Sequence, residues 1–328
     1  MPKQPPFSIT NEILNLSAEI AEMVGKISVT QKLDKNPTLR RENRIKTIYG
    51  SLAIEQNTLT LEQVTATLNG KRVVAPPKDI EEVKNAFEIY ELLDTLDPYS
   101  VNDLLKAHSV MMRGLVTNAG EFRERPVGVV DSSTGKVIHF GTLPAYVPDA
   151  INDLLEWTRS SNVHMLIKAC VFHYEFELIH PFIDGNGRVG RLWHTLLLSK
   201  WQPIFAWIPI ESMIFKNQKE YYQAINYCNN VCDSTKFIEF MLETIRLALL
   251  ELTCSKQLAQ EQDKEQVIEM ILSFCSEPRT RAQIQEHVGV SSRKLFTIKF
   301  LTPLIESGQL KMTIPDKPTS RNQKYVKD

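Results

Sequence analysis

The feature that most restricts what this chain can fold into is a twelve-residue segment, His180–Arg191, with the sequence HPFIDGNGRVGR. Three glycines fall within six residues of it, between an apolar run at 166–179 and another at 192–198. Both runs predict helices, so the segment is expected to form a short glycine-rich loop that opens directly into a helix. Such a loop brings the ends of two helices and several polar side chains to one place.

The glycines and arginines of this loop predict a site for phosphate. Gly185 and Gly187 allow backbone N–H groups to turn inward as a concave anion site, and the following helix adds the positive end of its dipole. Arg188 and Arg191 lie three residues apart in its first turn. Basic side chains are unfavourable at that end of a helix unless a negative group binds there, so the pattern favours a phosphate ligand.

Two further side chains add chemistry to the loop. Asp184 supplies a hard oxygen ligand of the kind that a magnesium–phosphate complex needs. His180 is the only group of the segment that exchanges a proton near neutral pH. The plain alternative is a solvated turn with two arginines, but a base, a metal ligand and an anion site within twelve residues favour a functional loop.

The segment resembles the motif of the Fic family, His-x-Phe-x-Asp/Glu-Gly-Asn-Gly-Arg-x-x-Arg, and matches it at every fixed position. The resemblance implies a mainly α fold, a Fic-type helical bundle with a small β-hairpin. It also implies transfer of AMP from ATP, with Mg²⁺, to a Ser, Thr or Tyr hydroxyl of a target protein. In this scheme His180 is the general base and Asp184 holds the metal. The phosphate-binding residues are Gly185, Asn186, Gly187, Arg188 and Arg191.

A second motif upstream resembles the autoinhibitory motif of the same family, Ser/Thr-x-x-x-Glu-Gly/Asn. Ser51 and Glu55 occupy its fixed places at the end of a predicted helix, whereas Gln56 departs from the last place and Asn57 follows it. The resemblance implies that Glu55 pairs with Arg191 and places negative charge where phosphate must bind. The alternative is that Glu55 is an ordinary solvated residue at a helix end.

Two β-like segments before the loop, 120–130 and 137–140, predict a small hairpin around a turn at 132–136. The Fic family has a hairpin of this kind, called the flap, which holds a strand of the target protein by β-augmentation. The resemblance assigns target docking to Lys136, Val137, Ile138, His139 and Phe140.

A helix predicted at 210–228 carries a Tyr-Tyr pair. In the Fic family this helix borders the adenine, so the resemblance implies base contacts by Tyr221, Tyr222 and Asn226. The alternative is that the aromatic side chains belong to the core, which is their usual place on a helix.

The sequence predicts an N-terminal helical region with the inhibitory motif at 1–70, a Fic catalytic domain at 71–252, and a linker helix with a winged-helix-like domain at 253–328. The stretch 278–328 holds ten Lys and Arg residues against four Asp and Glu residues, a balance of +6. Its order of two helices and two short strands resembles a winged helix-turn-helix. Such a domain binds DNA in some proteins and docks proteins in others.

Composition excludes several broad classes of function. The formal net charge is −1, so no overall field attracts nucleic acid or a membrane surface. No apolar run approaches the roughly 20 residues that a membrane-spanning helix needs, and the start of the chain does not resemble a signal peptide. The five cysteines show no metal spacing and are expected to be reduced thiols. These features predict a cytoplasmic protein, and the Fic resemblance adds a homodimer as the usual assembly.

Three alternatives to AMP transfer remain open from the sequence. The first is a DNA-binding regulator in which the loop only senses nucleotide. The second is the same transferase chemistry with another donor, such as UTP, GTP or a phosphocholine donor. The third is removal of AMP from a modified protein. The target protein is not indicated, and it can be the chain itself.

Overall fold

The structure is a computed structural model that describes residues 4–31, 36–130, 137–290, 292–318 and 320–328. It divides into two compact units, Met1–Leu252 and Thr253–Asp328. Within these ranges helices dominate both units, and each unit has one two-stranded antiparallel sheet. The predicted mainly α fold with a small β-hairpin is confirmed.

The first unit is built from eleven helices and one hairpin within the described residues. In chain order these are α1 (Asn11–Gln31), α2 (Pro37–Ile54), α3 (Leu61–Leu68), α4 (Pro77–Glu91), α5 (Val101–Met111), β1 (Gly128–Val130), β2 (Val137–Phe140), α6 (Val147–Ser160), α7 (Met165–Ile179), α8 (Asn186–Trp201), α9 (Ile210–Lys216), α10 (Gln218–Val231) and α11 (Thr235–Phe274). The last of these continues into the second unit.

Helices α7 and α8 form the centre of the first unit. Apolar residues occur on every side of α7, which is the pattern of a helix surrounded by others. Phe172, Phe176, Val189 and Trp193 of this pair are fully buried. The segment that joins the two helices is the glycine-rich loop of the sequence analysis, so the core fixes both of its ends.

Helix α2 packs closely on α9. Gly50 makes this approach possible, because a Cβ at that position would lie only 2.6 Å from the backbone nitrogen of Ser212. The Ser212 hydroxyl also donates to the carbonyl of Lys46 at 2.8 Å. This contact carries the C-terminal end of α2, and with it Glu55, towards the loop.

Several local predictions hold in detail. Thr60 caps α3, and Gln63 completes the capping box that the spacing Thr-x-x-Gln before an apolar run predicts. Strands β1 and β2 pair antiparallel, with Gly128 opposite Phe140. By contrast, the helix predicted at 210–228 is two helices, α9 and α10, which meet at Asn217.

The second unit contains the end of α11, then α12 (Arg281–His287), α13 (Arg293–Phe296), a π-helical turn (Thr297–Leu301), α14 (Thr302–Glu306), β3 (Leu310–Met312) and β4 (Tyr325–Lys327). Strands β3 and β4 pair antiparallel. Its separate core includes Ile271, Ile284, Phe296 and Leu310. The winged helix-turn-helix assignment of this unit stays a prediction.

In the described part of the chain, no helix is both long and apolar enough to cross a membrane.

Candidate active site

A cavity of about 130 Å³ opens beside the glycine-rich loop. It is bordered by the end of α2, the last turn of α7, the first turns of α8, and α10. It brings together seven residues that the sequence predicts as site residues: Glu55, His180, Gly187, Arg191, Tyr221, Tyr222 and Asn226. The cavity therefore joins the predicted base, part of the predicted anion loop, the predicted inhibitory carboxylate and the predicted base-contact helix.

His180 ends α7 with a left-handed backbone, φ 53°, and its N–H still donates to the carbonyl of Phe176 at 2.9 Å. This conformation is uncommon for a residue other than glycine. Arg123 supports it, since its Nε donates to the carbonyl of His180 at 2.6 Å and its backbone N–H donates to that of Pro181 at 3.0 Å. The Arg123 side chain also donates to the carbonyls of Ile179 and Thr142.

Asn186 shapes the loop from within. Its side chain donates to the carbonyl of Phe182 at 2.9 Å and accepts from the N–H of the same residue at 2.8 Å. Asn186 is 2% exposed and does not line the cavity. Gly185, with φ 85°, precedes it as the N-cap of α8. The predicted contacts of Asn186 and Gly185 with phosphate stay predictions, and the observed bonds hold the loop in a closed turn.

His108 supports the same turn from α5. Its Nδ1 accepts from the N–H of Gly120 at 2.8 Å, so its Nε2 carries the hydrogen and donates to the carbonyl of Asp184 at 3.0 Å. The ring stacks on Phe182 with 3.7 Å between centroids. Burial lowers the pKa of His108, which keeps the imidazole neutral at pH 7.

Arg188 lies in a buried chain of charges rather than in the cavity lining. Its Nη1 donates to Glu82 at 3.0 Å and its Nη2 donates to Asp184 at 2.9 Å. The side chains of Arg188 and Glu82 are 4% and 6% exposed, whereas that of Asp184 is 48% exposed. Asn57 donates to the second oxygen of Glu82 at 2.8 Å, so this chain also joins the turn that follows α2.

Arg191 is held by the two predicted inhibitory residues. Its Nη2 donates to the carboxylate of Glu55 at 2.7 Å and to the carbonyl of Ser51 at 2.9 Å, and its Nε donates to the Ser51 hydroxyl at 3.2 Å. Burial acts to lower the pKa of Arg191, but the charge and hydrogen bond of Glu55, together with Tyr221 and Glu177, outweigh it and the pKa is raised. Gly187 leaves room for this pair, because a Cβ there would lie 2.3 Å from the Glu55 carboxylate.

The two tyrosines of α10 have different environments. Tyr221 is 2% exposed, and its hydroxyl lies 3.1 Å from Nε2 of His173. Burial, together with the positive charge of Arg191, holds the pKa of His173 well below its usual value. Tyr222 is 40% exposed and meets Tyr221 edge to face. Tyr221 thus belongs to the core as well as to the cavity wall, while Tyr222 presents an open aromatic surface.

A backbone hydrogen bond joins the end of the hairpin β1–β2, the predicted flap, to the end of α7, directly before the glycine-rich loop. The N–H of Thr142, just after β2, donates to the carbonyl of Ile179 at 3.2 Å. Val137, Ile138, His139 and Phe140 form the second strand of the hairpin. Lys136 lies outside the described residues, so its predicted docking role is not addressed by the structure.

Comparisons with known proteins match both units. The model of the Fic/DOC family matches residues 98–198, and the model of the filamentation induced by cAMP protein Fic-like C-terminal domain matches residues 265–326. A crystal structure of a Fic family protein from Desulfovibrio desulfuricans G20 is 42% identical, with a TM-score of 0.75. The match covers 99% of this chain and 98% of that one. The chain belongs to the Fic family.

Curated relatives of this Fic protein are named as adenylyltransferases. Protein adenylyltransferase fic-1 of Caenorhabditis elegans is 27% identical over 62% of this chain and 40% of that protein. Protein adenylyltransferase Fic of Nematostella vectensis is 29% identical over 61% of this chain and 47% of that protein. The Fic chain spans about half the length of these curated relatives.

Sequence reasoning missed the residues that support the Fic loop from a distance. Arg123, His108 and Glu82 each contact the loop from another element, at separations of 57, 76 and 106 residues. Glu177, in the last turn of α7, was also missed although it lines the cavity. Its acidic side chain in an apolar run, three residues before His180, was the one local signal available.

The candidate ligand for Mg²⁺ in the Fic loop is the carboxylate of Asp184. Among the described residues, no group of three His, Cys, Asp or Glu side chains is placed to hold a metal ion. Mg²⁺ is commonly bound by one or two carboxylates together with substrate phosphates. The half-exposed carboxylate of Asp184 fits that mode, because a nucleotide would supply the remaining oxygen ligands.

Proposed function

We propose that this protein transfers AMP from ATP to a hydroxyl side chain of a target protein and releases pyrophosphate. The observation that carries the proposal is the cavity that joins His180, Gly187 and Arg191 with the inhibitory carboxylate of Glu55. The names of the curated relatives support the same activity. Phosphoryl-transfer catalysis depends mainly on positioning and on stabilisation of charge, and this cavity offers groups for both.

In the proposed reaction, Nε2 of His180 accepts the proton of the target hydroxyl. The hydroxyl oxygen bonds to the α-phosphorus of ATP as the bond from that phosphorus to the bridging oxygen breaks, and the electron pair leaves with pyrophosphate. Arg191 would neutralise the departing phosphates once Glu55 has left it. The backbone N–H of Gly187 would bind a phosphate oxygen at the positive end of α8.

Asp184 would hold Mg²⁺, which when bound neutralises charge on the phosphates and orients them. Arg188 and His108 would hold Asp184 in place for the metal. Arg188 donates to the Asp184 carboxylate, and His108 donates to the Asp184 backbone carbonyl. Tyr222 and Asn226 would border the adenine, and the strand 137–140 would receive an extended segment of the target by β-augmentation.

Glu55 would act as a brake on this reaction. Its carboxylate takes up Arg191 and places negative charge in the position where the γ-phosphate would bind. Ser51 strengthens the hold with two further contacts to the same guanidinium. ATP would bind productively only after the turn at the end of α2 moves away from Arg191.

The test is incubation of the purified protein with ATP and Mg²⁺, followed by intact mass measurement of the protein and of candidate targets. Glu55→Gly is expected to add AMP at least about tenfold faster than wild type, since loss of a charge-assisted hydrogen bond of 1.5–3 kcal/mol has an effect of that order. Glu55→Gly combined with His180→Ala should bind ATP but add no AMP. Transfer at the parent rate by the His180 variant would exclude His180 as the base.

The same assay separates the alternative reactions. Replacement of ATP by GTP, UTP or a phosphocholine donor tests the identity of the donor, because each leaves a different mass on the protein. Incubation of an AMP-modified protein with wild type tests AMP removal, which predicts that the modified protein loses the mass of AMP. If the protein forms an adduct only with another donor, the proposed substrate is wrong but the proposed type of transfer reaction stands.

A second candidate function, DNA binding, is favoured by one observation in the C-terminal unit. A cavity of about 490 Å³ there is lined by Arg281, Arg293 and Arg321, and its described lining includes no carboxylate. Guanidinium groups without a counter-charge suit phosphate. Labelled duplex DNA should bind with strong salt dependence and lose affinity about tenfold in Arg281→Gln/Arg321→Gln. Unchanged binding in that variant would exclude this surface.

A further inference from the structure

Glu177 is an acidic residue in the wall of the catalytic cavity to which the proposed mechanism gives no role. It lies in the last turn of α7, three residues before His180. One of its carboxylate oxygens is 3.9 Å from Nδ1 of His180, and the side chain is 14% exposed. The other oxygen, Oε1, is buried and has no hydrogen-bond partner among the described residues. A buried carboxylate oxygen without a hydrogen-bond partner lowers the stability of the folded protein, so we expect Glu177 to have a function at the site.

The backbone of Glu177 contacts the same ring. Nδ1 of His180 lies 3.3 Å from the Glu177 carbonyl oxygen. Two acceptors of one residue thus face Nδ1, and a ring nitrogen that faces acceptors carries the hydrogen in the neutral imidazole. That tautomer leaves the lone pair on Nε2, where the proposed reaction needs it.

A base that accepts a proton becomes an imidazolium, and the new positive charge needs compensation in a partly buried site. The Glu177 carboxylate is too far from Nδ1 for a good hydrogen bond, but it is within the range at which an opposite charge stabilises a charged histidine. A Gln at the same place would keep the shape but lose the charge.

We propose that Glu177 is the positioning residue of the base: it holds His180 with the hydrogen on Nδ1 and supplies the negative charge for the imidazolium. The inference rests on the proposed AMP transfer and adds a residue to it. During the reaction the target's proton moves to Nε2, the Nδ1 hydrogen stays, and Glu177 neither gains nor loses a bond.

Other groups that face Glu177 come from three elements. Arg191 of α8 contributes positive charge, Glu55 at the end of α2 contributes negative charge, and Tyr221 and Tyr222 of α10 border the same cavity. Burial raises the pKa of Glu177 to about 7, with Arg191 lowering it and Glu55 raising it. Departure of Glu55 from Arg191 therefore favours the ionised form of Glu177, so that release of the brake also provides the base with its negative partner.

The chain provides a matched control two residues away. Glu175 lies on the same helix, its pKa is also raised to about 7 by burial, and it does not line the cavity. Glu175→Gln and Glu177→Gln thus remove the same charge from the same helix. Only the second removes it from beside His180.

The experiment uses both units of the chain together, residues 1–328, with Glu55→Gly as the parent. Rates of AMP addition are measured against pH, and the His180 ring is titrated by NMR, with its signal assigned by its loss in His180→Ala. Glu177→Gln is expected to lower the plateau rate about tenfold with little change in the KM for ATP. It should also lower the pKa of His180 by about one unit and move the acid limb of the profile to lower pH.

Glu175→Gln should leave both the His180 titration and the acid limb of the pH profile as in the parent. Glu177→Asp keeps the negative charge, so its rate of AMP addition and its His180 pKa should lie between those of the parent and of Glu177→Gln. The inference is overturned if His180 titrates alike in Glu177→Gln and Glu175→Gln. If the parent adds no AMP at all, the proposed function fails. The NMR titration still decides the role of Glu177, because it needs no turnover.

Discussion

Gln56 follows Glu55, the proposed brake, and has a backbone conformation that suits glycine, with φ of 66°. The chain reverses there, since the N–H of Asn57 donates back to the carbonyl of Leu52 at 3.1 Å. Gln56→Gly is expected to raise the free energy of unfolding by about 0.5–1 kcal/mol, because only glycine adopts this conformation without a steric penalty. Urea unfolding monitored by circular dichroism measures the effect.

Ala53→Gly is the control for this substitution. Residue 53 lies inside α2, where glycine is expected to cost about 1 kcal/mol of stability. Equal destabilisation by the two glycines would show that the left-handed turn at Gln56 carries no strain.

At the same scale, the sequence predicts those residues whose signal is local. His180, Asp184 and Arg191 are predicted as site residues because their types and spacing within one segment imply a site, and His180 and Arg191 lie in the wall of one cavity. The residues that support that segment could not be predicted. Arg123 reaches it from 57 positions away and Glu82 from 106, and no short-range pattern records contacts that only the packed helices create.

At the scale of the element, the position of Glu55, the proposed brake, depends on how α2 lies against α9. Gly50→Ala would place a methyl group 2.6 Å from the backbone of Ser212, so α2 must shift. We expect a loss of about 1–3 kcal/mol in the free energy of unfolding, as for other overpacked contacts. We also expect faster AMP addition, since the shift would draw Glu55 from Arg191. Urea unfolding and the intact-mass assay measure the two effects.

Gly25→Ala is the matched control on α1, where no described atom beyond the helix's own neighbouring backbone lies within 4 Å of the added methyl group. It should stabilise the protein slightly, by up to about 1 kcal/mol, because alanine favours helix. If Gly50→Ala behaves in the same way as Gly25→Ala, the close packing of α2 on α9 does not set the position of the brake.

Elements were predictable where a local signal marks their ends. Thr60 and Thr280 each cap a helix through a capping box, and the Thr-x-x-Gln spacing that forms this cap is visible in the sequence. The break at Asn217 was not expected, because the residues on either side form good helices and no proline or glycine separates them. Packing in the first unit, rather than local preference, divides α9 from α10.

At the scale of the whole molecule, buried histidines and buried acids make the free energy of unfolding depend on pH in opposite directions. Burial lowers the pKa of His194 to about 3 from 6.5, so this histidine stays neutral in the folded protein. Below pH 6.5 the unfolded chain binds a proton there that the folded protein does not, and the free energy of unfolding therefore falls as the pH drops. Buried acids act in the other direction. Burial raises the pKa of Glu175 to about 7 from 4.5, so the folded protein holds a proton that the unfolded chain releases.

The substitution Glu175→Gln removes the contribution of this buried acid to the pH dependence of the free energy of unfolding. Between pH 4.5 and about 7 the unfolded chain binds fewer protons at Glu175 than the folded protein does, so this residue makes the free energy of unfolding fall as pH rises. Each pKa unit corresponds to about 1.4 kcal/mol. The variant should therefore become more stable than wild type progressively from pH 4.5 to 7, by at least about 1 kcal/mol, and keep a constant advantage above that. Urea unfolding at several pH values measures the difference, and a difference that stays constant from pH 4.5 to 7.5 would contradict a buried, proton-binding Glu175.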